Sequence, residues 1–298
     1  MRVGDQKEII KHFKARFSRL FFFCGKFRRK TFDNSGRIYY NESRTIFFKG
    51  ASMPKFFVEP DQIQDGKVFI KGNDAAHISF SLRMAKGDTV RVCDGAGKEY
   101  DCVLSAFLSD CVEAEISSVF ENQNESPVQI YLYQALPKGD KLETVIQKSV
   151  ECGVFEIVPF ESERCVVKVK EDAEEKKTQR RNRIAEEAAK QCGRGYVPRV
   201  LSTVSFERAV EMASAADLAL VCYEDEKGTT IKKVLSGADA KAISTISIMI
   251  GSEGGFSPKE IDAAVSEGLT PVSLGKRILR TETAPIFVLS NVSYQFEL

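Results

Sequence analysis

Short apolar runs alternate with helical stretches between residues 128 and 298, and this alternation restricts the fold more than any other feature of the chain. The runs are uniformly apolar and rich in β-branched residues: Val128–Ala135, Val154–Phe160, Ala216–Tyr223, Ile246–Ile250 and Thr270–Leu274. Helical segments lie between and after them: 140–152, 174–192, 258–267 and 281–296. Buried strands separated by helices are typical of a parallel sheet covered on both faces. We therefore predict an α/β domain over residues 128–298.

One helix start is specified residue by residue. Ser257 is a favourable cap, Pro258 stands at the first helical position, and Glu260 completes a capping box. This predicts that a helix begins directly after the loop Ile250–Ser257.

Residues 53–122 show a different, strand-rich pattern. Alternating segments, typical of half-buried strands, lie at Lys67–Lys71, Thr89–Cys93, Glu99–Leu104 and Cys111–Ile116. The Asp94-Gly95 step between two of them predicts a hairpin rather than a nucleotide loop. Asn73–Met84 is predicted to be a helix capped by Asn73. We predict a small β-barrel joined to the α/β domain by a polar linker, 121–127.

The first 52 residues are a basic extension. They carry 13 Lys and Arg against 4 Asp and Glu, whereas the remainder carries 30 basic and 38 acidic residues. Two interpretations stay open. An Arg-rich, acid-poor segment is consistent with an organellar transit peptide. Met53 and the residues after it read like the natural amino terminus of a protein. For residues 1–52 we therefore favour a disordered tail or a non-native start from an upstream codon.

Composition excludes several classes of protein. No apolar stretch approaches the roughly 18 residues of a membrane helix. The 8 cysteines form no CxxC pair, and with only His12 and His77 a zinc site is not expected. Scattered cysteines are typical of a reducing compartment, so we predict a cytoplasmic protein without disulfides or a metal. The scarcity of histidine also argues against Ser-His-Asp and Cys-His catalysis.

Two glycine-bearing loops carry the candidate chemistry: Ile250–Ser257 and Leu274–Ala284. Each follows an apolar run and precedes a helix, and each offers bare backbone to a ligand. Neither contains a phosphate-binding loop or a dinucleotide fingerprint. The alternative for the first loop is a tight turn without a ligand. For the second it is a helix start capped by Thr281, but cations such as Arg277 and Arg280 are unfavourable there.

The pair of loops resembles the cofactor loops of SPOUT methyltransferases, and most closely those of the ribosomal RNA small subunit methyltransferase E family. In that family the first loop reads Gly-Pro-Glu-Gly-Gly, so Ser252 replaces a proline, and Pro285 departs from an expected apolar residue. Residues 53–97, with His77, Arg83, Gly87 and Asp94, resemble the family's PUA-like RNA-binding domain. The resemblance implies a trefoil-knotted, mostly parallel sheet preceded by a PUA-like barrel.

The resemblance also implies a ligand and a partner. The expected cofactor is S-adenosylmethionine, the substrate N3 of a uridine in 16S ribosomal RNA of the small subunit, and the assembly a homodimer. The cofactor residues it implies are Tyr223, Ile250, Gly251, Glu253, Gly254, Gly255, Leu274, Gly275, Ile278, Leu279, Thr283 and Ala284. The RNA-binding residues it implies are Lys55, Arg83, Arg164 and Arg194, although any single surface cation is commonly only solvated.

Methyl transfer from a sulfonium requires an aligned nucleophile and the exclusion of water. Because uracil N3 carries a proton at neutral pH, the reaction needs a proton acceptor or a cation that favours the anion. We predict Arg280 as the cation and Glu282 as the acceptor. Glu253 is a further candidate acceptor, but bracing of its loop is the favoured role. Two alternatives remain: a SPOUT enzyme with another target nucleotide, and a non-catalytic RNA-binding or assembly factor.

Overall fold

In a computed structural model of the chain, the structure describes residues 30–32, 38–40, 53–168, 171–239 and 241–298. Contacts divide the chain into two units, Met1–Ser52 and Met53–Leu298. In the first unit, strands β1 (Lys30–Phe32) and β2 (Ile38–Tyr40) pair antiparallel. The rest of the prediction for residues 1–52 lies outside the described residues. None of the helices in the described part has the length and apolar character that crossing a bilayer requires.

The second unit begins with a six-stranded sheet. Its strands are β3 (Lys55–Phe57), β4 (Ile63–Gln64), β5 (Lys67–Lys71), β6 (Thr89–Cys93), β7 (Lys98–Phe107) and β8 (Cys111–Glu121). Their order is β3-β6-β7-β8-β5-β4, and every pair is antiparallel except β3 with β6. Alternate side chains such as Val90 and Val92 are fully buried in the core of this sheet. The alternation in the sequence reflects that one-sided burial.

The predicted hairpin between β6 and β7 is confirmed. Asp94 Oδ1 accepts hydrogen bonds from the backbone N–H groups of Ala96 and Lys98, at 2.8 and 3.1 Å. The side chain therefore closes the turn, and the glycines take the positive φ angles it needs (70° at Gly95, 104° at Gly97).

The predicted helix of this sheet domain is shorter and begins differently. Helix α1 (Gly72–Ala76) continues directly into one π-helical turn, His77–Ser81. Its cap position is Lys71, without a side-chain hydrogen bond, so the predicted Asn73 cap is wrong. His77 lies edge-on to Phe56, with ring centroids 6.3 Å apart.

The remainder of the unit is an α/β domain, as the alternation predicts. Among the residues that the structure describes, its seven strands are β9 (Gln129–Ala135), β10 (Glu156–Glu161), β11 (Arg199–Val200), β12 (Val204–Ser205), β13 (Leu218–Cys222), β14 (Thr245–Ile250) and β15 (Thr270–Val272). All pairings are parallel, in the order β11-β10-β9-β14-β13-β15, with β12 also paired to β10.

In the described part of the domain, six helices accompany this sheet: α2 (Lys141–Glu151), α3 (Glu171–Cys192), α4 (Phe206–Ala213), α5 (Ile231–Gly237), α6 (Pro258–Ser266) and α7 (Ala284–Phe296). Helix α6 begins with the predicted capping box of Ser257 and Glu260. Residues such as Leu132, Ile157 and Ile248 are fully buried in one continuous core. Burial on all sides explains why the strand sequences are uniformly apolar rather than alternating.

The predicted linker is firmly attached to the α/β domain. The side-chain amides of Asn122 and Asn124 donate to the carbonyl of Gly193, at 3.2 and 2.9 Å. Glu125 accepts from Arg194 Nη2 at 2.6 Å. These bonds join the end of β8 to the turn after α3, so the six-stranded sheet is anchored to the α/β domain.

Two of the predicted RNA-binding residues, Lys55 and Arg194, lie at this junction. The Arg194 side chain is 5% exposed and binds Glu125 and the carbonyls of Val150 and Val154. The Lys55 side chain is 9% exposed, with its ammonium 2.6 Å from Glu99 Oε1 and 2.8 Å from the carbonyl of Gly193. Because buried cations must be paired, both residues stabilise this junction, and in the described structure their charges are engaged by protein groups.

Candidate active site

Three loops at the carboxyl ends of β13, β14 and β15 enclose a cleft of about 450 Å³. In open parallel sheets this edge is the usual position of ligand sites. Its walls come from Cys222–Glu224, from residues 250–253 with Gly255, and from residues 273–281, with Lys141 and Ala284 completing them. The two glycine-bearing loops of the sequence therefore meet in space, and the loop after β13 joins them.

Most of the predicted cofactor residues line this cleft: Tyr223, Ile250, Gly251, Glu253, Gly255, Leu274, Gly275, Ile278, Leu279 and Ala284. Gly254 and Thr283 are exceptions. A side chain at Gly254 would meet Arg164 Cβ at 2.9 Å, so this residue faces the loop after β10. Thr283 is exposed and lines a separate depression on α7 with Phe287. The structure thus excludes both residues from the cleft wall.

Two glycines of the loop after β14 lie close to their neighbours. A β-carbon at Gly255, whose φ is 62°, would collide with the carboxylate of Glu224. A β-carbon at Gly251 would lie 3.1 Å from Gly255 Cα. A larger residue at Gly251 would therefore press on the backbone of its own loop, and one at Gly255 would displace the exposed side chain of Glu224, so bare backbone forms this part of the wall.

Thr281 holds the two glycine-bearing loops together. Its hydroxyl donates to the carbonyl of Gly251 at 2.8 Å and accepts from Gln134 Nε2 at 3.0 Å. The alternative that Thr281 caps the last helix is wrong, because α7 begins at Ala284 and its cap position is Thr283. Thr281 and Gln134 are both buried, so this hydrogen-bonded chain runs from β9 beneath the cleft to the loop after β14.

Lys141 links acidic residues from both loops. Its ammonium lies 2.7 Å from Glu253 Oε1 and 3.4 Å from Glu282 Oε2. Glu253 also accepts from the backbone N–H of Lys138, at 3.2 Å. Partial burial works against the charged form of Glu253, but the hydrogen bonds from Lys141 and Lys138 outweigh it and lower the pKa of Glu253. The hydrogen bond to Glu253 raises the pKa of Lys141. At neutral pH both groups are therefore charged.

The two predicted catalytic residues occupy different positions. The Arg280 side chain lines the cleft mouth and is 82% exposed, with Nη1 4.0 Å from Glu282 Oε1. Glu282 is half-buried, and its Oε2 is inaccessible to solvent. An exposed cation thus lies at the mouth of the cleft, next to a sheltered carboxylate.

The remaining predicted RNA contacts are exposed. Arg164 Nη1 donates to the carbonyl of Gly254 at 2.9 Å, so it supports the loop after β14 from outside. Arg83 is exposed and has a φ of 53°, rare for a residue other than glycine. Both leave donors available to solvent.

Three residues of the site were given no role from the sequence. Lys141 lies at the start of a helix, 112 residues before Glu253, so no local pattern indicates that the two meet. Glu224 stands beside the predicted Tyr223, and only the close approach of Gly255 reveals its position. Gln134 is an isolated polar residue in an apolar strand, which was the available signal. Among the described residues, no group of His, Cys, Asp or Glu could hold a metal ion.

Known proteins share both the sequence and this architecture. A family model described as RNA methyltransferase domain matches residues 124–293. The ribosomal RNA small subunit methyltransferase E of Bacillus subtilis (strain 168) is 36% identical over 251 residues, which are 83% of this chain and 98% of that protein. The protein of the same name from Synechocystis sp. is 34% identical over 246 residues, 82% of this chain and 78% of that protein.

A solved structure agrees with these relatives. The crystal structure of a ribosomal RNA small subunit methyltransferase E from Neisseria gonorrhoeae, bound to S-adenosyl methionine, matches with a TM-score of 0.72 and 31% identity. The match covers 81% of this chain and 97% of that one. Fold, site and sequence therefore agree: the chain belongs to the ribosomal RNA small subunit methyltransferase E family.

Proposed function

We propose that this protein uses S-adenosylmethionine to methylate N3 of a uridine in 16S ribosomal RNA of the small subunit. The observation that carries the proposal is the cleft between three loops at the ends of adjacent parallel strands, in a chain whose relative of known structure holds this cofactor. The family's name supplies the class of substrate.

The residues of the cleft fit this cofactor. A volume of about 450 Å³ is in the range of small-ligand sites. Leu274 and Leu279 are half-buried against the domain core and offer apolar surface for an adenine ring. Gly251 and Gly255 bring bare backbone to the wall, where N–H and C=O groups can bind polar edges. The remaining proposed cofactor residues, Tyr223, Ile250, Glu253, Gly275 and Ala284, complete the lining.

The bound cofactor supplies an electrophilic methyl group on a sulfonium, so the protein needs no nucleophile of its own. Arg280, at the mouth of the cleft, is placed to stabilise the negative charge that forms as uracil loses its N3 proton. Glu282, 4.0 Å from Arg280, is the proposed proton acceptor. Glu253 fits the bracing role better, because Lys138 and Lys141 already occupy its carboxylate.

The proposal extends to the organisation of the protein. Residues 53–122 would form the PUA-like RNA-docking domain and residues 128–298 the knotted SPOUT domain, with the first 52 residues as an extension. The exposed cations Arg83 and Arg164 would contact phosphates. Family resemblance supports a homodimer, and a ribosomal substrate implies action in the cytoplasm.

Two measurements test the function. Calorimetry with S-adenosylmethionine should show binding, and absence of heat at high protein concentration would instead favour a non-catalytic assembly factor. Incubation with unmodified small subunits, followed by mass spectrometric mapping of the RNA, should place one methyl group on a uridine base. A methyl group on a ribose, on carbon or on another base would contradict the assignment and favour another SPOUT activity.

A further inference from the structure

Ile278 differs from the other apolar residues of its loop. Its side chain is 88% exposed, although it borders the cleft. Leu274 and Leu279 in the same loop are half-buried and pack against the domain core. The resemblance assigned all three to the cofactor, but only the two leucines have a buried position. Ile278 points its apolar surface toward solvent at the rim.

Cations surround this exposed residue. Lys276 and Arg277 are exposed and make no hydrogen bond or ion pair within the described part of the chain. Arg280 has only Glu282, at 4.0 Å. A single exposed isoleucine is ordinary. An exposed isoleucine among three weakly engaged cations, at the mouth of a cleft, is a combination that suits a polyanion with apolar faces.

Nucleic acid has that chemistry. A base that must enter an active site leaves its stack, which costs a few kcal/mol and opens a gap between its neighbours. Proteins that unstack bases commonly insert an apolar side chain such as Ile, Leu or Phe, while Lys and Arg hold the adjacent phosphates. The rim 276–280 offers one exposed apolar side chain, that of Ile278, and three cations, Lys276, Arg277 and Arg280.

We propose that Ile278 is an RNA wedge: it fills the stack vacated by the target nucleotide, while Lys276 and Arg277 hold the phosphates on either side. This inference rests on the proposed function and adds a substrate-positioning residue to it. Ile278 touches RNA rather than the cofactor, which reverses its assignment from the family resemblance. The cofactor pocket is then formed without it, by Leu274, Leu279 and the backbone of the loops.

The test uses the full chain and a small-subunit RNA fragment with 2-aminopurine beside the target uridine. The variants are Ile278→Ala and Ile278→Phe, with Val265→Ala as the control, since Val265 is an exposed apolar residue on α6, outside the cleft. Cofactor affinity is measured by calorimetry, unstacking by fluorescence, and kcat/KM for RNA by methyl incorporation.

We expect Ile278→Ala to bind the cofactor within about twofold of the unchanged protein. Its kcat/KM for RNA should fall by about tenfold and the fluorescence rise should be lost. Ile278→Phe, which keeps a bulky apolar wedge, should retain the rise. A loss of cofactor affinity in Ile278→Ala would return the residue to the cofactor pocket, and unchanged RNA kinetics would also overturn the wedge. If the unchanged protein binds cofactor but methylates neither this fragment nor the small subunit, the proposed function fails instead.

Discussion

The hydroxyl of Thr281 donates a 2.8 Å hydrogen bond to the carbonyl of Gly251, so one buried side chain fixes the distance between the two glycine-bearing loops. Gln134, on the central part of the sheet, supports that hydroxyl from below. The width of the cleft is thus set by a hydrogen-bonded chain that starts in a rigid strand. Loops held in this way are organised before a ligand arrives.

Replacing Thr281 by valine keeps the shape and removes both hydrogen bonds. The carbonyl of Gly251 and the amide of Gln134 are left without this partner, which costs about 1–3 kcal/mol when such groups are buried. We expect weaker cofactor binding and a lower free energy of unfolding, measured by calorimetry and denaturant titration. Thr283→Val is the matched control, because Thr283 is exposed and makes no side-chain cap. Equal behaviour of the two variants would contradict the tether.

Arg280→Ala should separate catalysis from binding. Since the Arg280 side chain is largely exposed and makes only a 4.0 Å contact, its loss should leave cofactor affinity intact. Methyl transfer should slow at least about tenfold, or about 1.4 kcal/mol of barrier, in single-turnover measurements at saturating cofactor. Arg199→Ala, an exposed cation on β11, serves as the control. Unchanged turnover in Arg280→Ala would remove this residue from the mechanism.

Gly255→Ala should weaken cofactor binding. The added methyl group displaces the carboxylate of Glu224, an exposed side chain that lines the cleft. The control is Gly268→Ala, which has the same left-handed strain (φ of 93°) but open space around the β-carbon. Both variants should lose about 1 kcal/mol of stability from backbone strain, whereas only Gly255→Ala should bind S-adenosylmethionine more weakly in calorimetry. Equal affinities of the two variants would show that the position of Glu224 does not matter for the cofactor.

The pairing of Lys141 with Glu253 predicts a pH dependence. Because the pKa of Glu253 is lowered, this pair is intact above the ordinary pKa of a glutamate and is lost as the pH falls through the lowered value. Cofactor affinity should therefore stay level from about pH 6 to 8, far above the glutamate range. Lys141→Met should weaken it throughout that range, while Lys148→Met, which removes an exposed pair with Glu151 on the same helix, should not. Equal cofactor affinities of Lys141→Met and Lys148→Met would contradict the proposal that Lys141 holds Glu253 in place.

Substitutions of Arg194 and Arg83 should have opposite effects on stability and on RNA binding. Removing the buried Arg194 takes one donor from Glu125 and from each of two carbonyls, so Arg194→Leu should lower the free energy of unfolding by about 3 kcal/mol. Arg83→Ala should leave stability unchanged and weaken RNA binding, with a smaller salt dependence. Thermal unfolding and RNA titrations at several salt concentrations distinguish them. If Arg194→Leu folds normally but binds RNA poorly, the structural role assigned to Arg194 from its burial is wrong.

The sequence predicted the α/β domain well because its strands are buried on all sides and its long helices are periodic. Helices α4 and α5 and the strands β11 and β12 were missed, since two to eight residues are too few to establish a period. The position of α6 was predictable from Ser257, Pro258 and Glu260, whose chemistry is local.

Long-range partners explain the errors within the site. Threonine is a common helix cap, but the hydroxyl of Thr281 instead forms hydrogen bonds with Gly251 and Gln134, which lie 30 and 147 residues away in the sequence. Arg194 and Lys55 have the charge of RNA contacts, yet Glu125 and Glu99 neutralise them at a junction that no local pattern reveals. The sequence shows which residue types are present and how they are spaced. The fold decides which partner each side chain meets.

The position of β14 between β9 and β13 has a consequence for synthesis. The central strand β14 cannot join the sheet until residues 245–250 have left the ribosome. Most of the cleft wall follows only with residues 251–284. Domains emerge from the amino-terminal end, so the anchored β-sheet domain can fold long before the catalytic one. The β-sheet domain of a nascent chain can therefore form before the cleft exists, and the cleft is complete only after residue 284 has emerged.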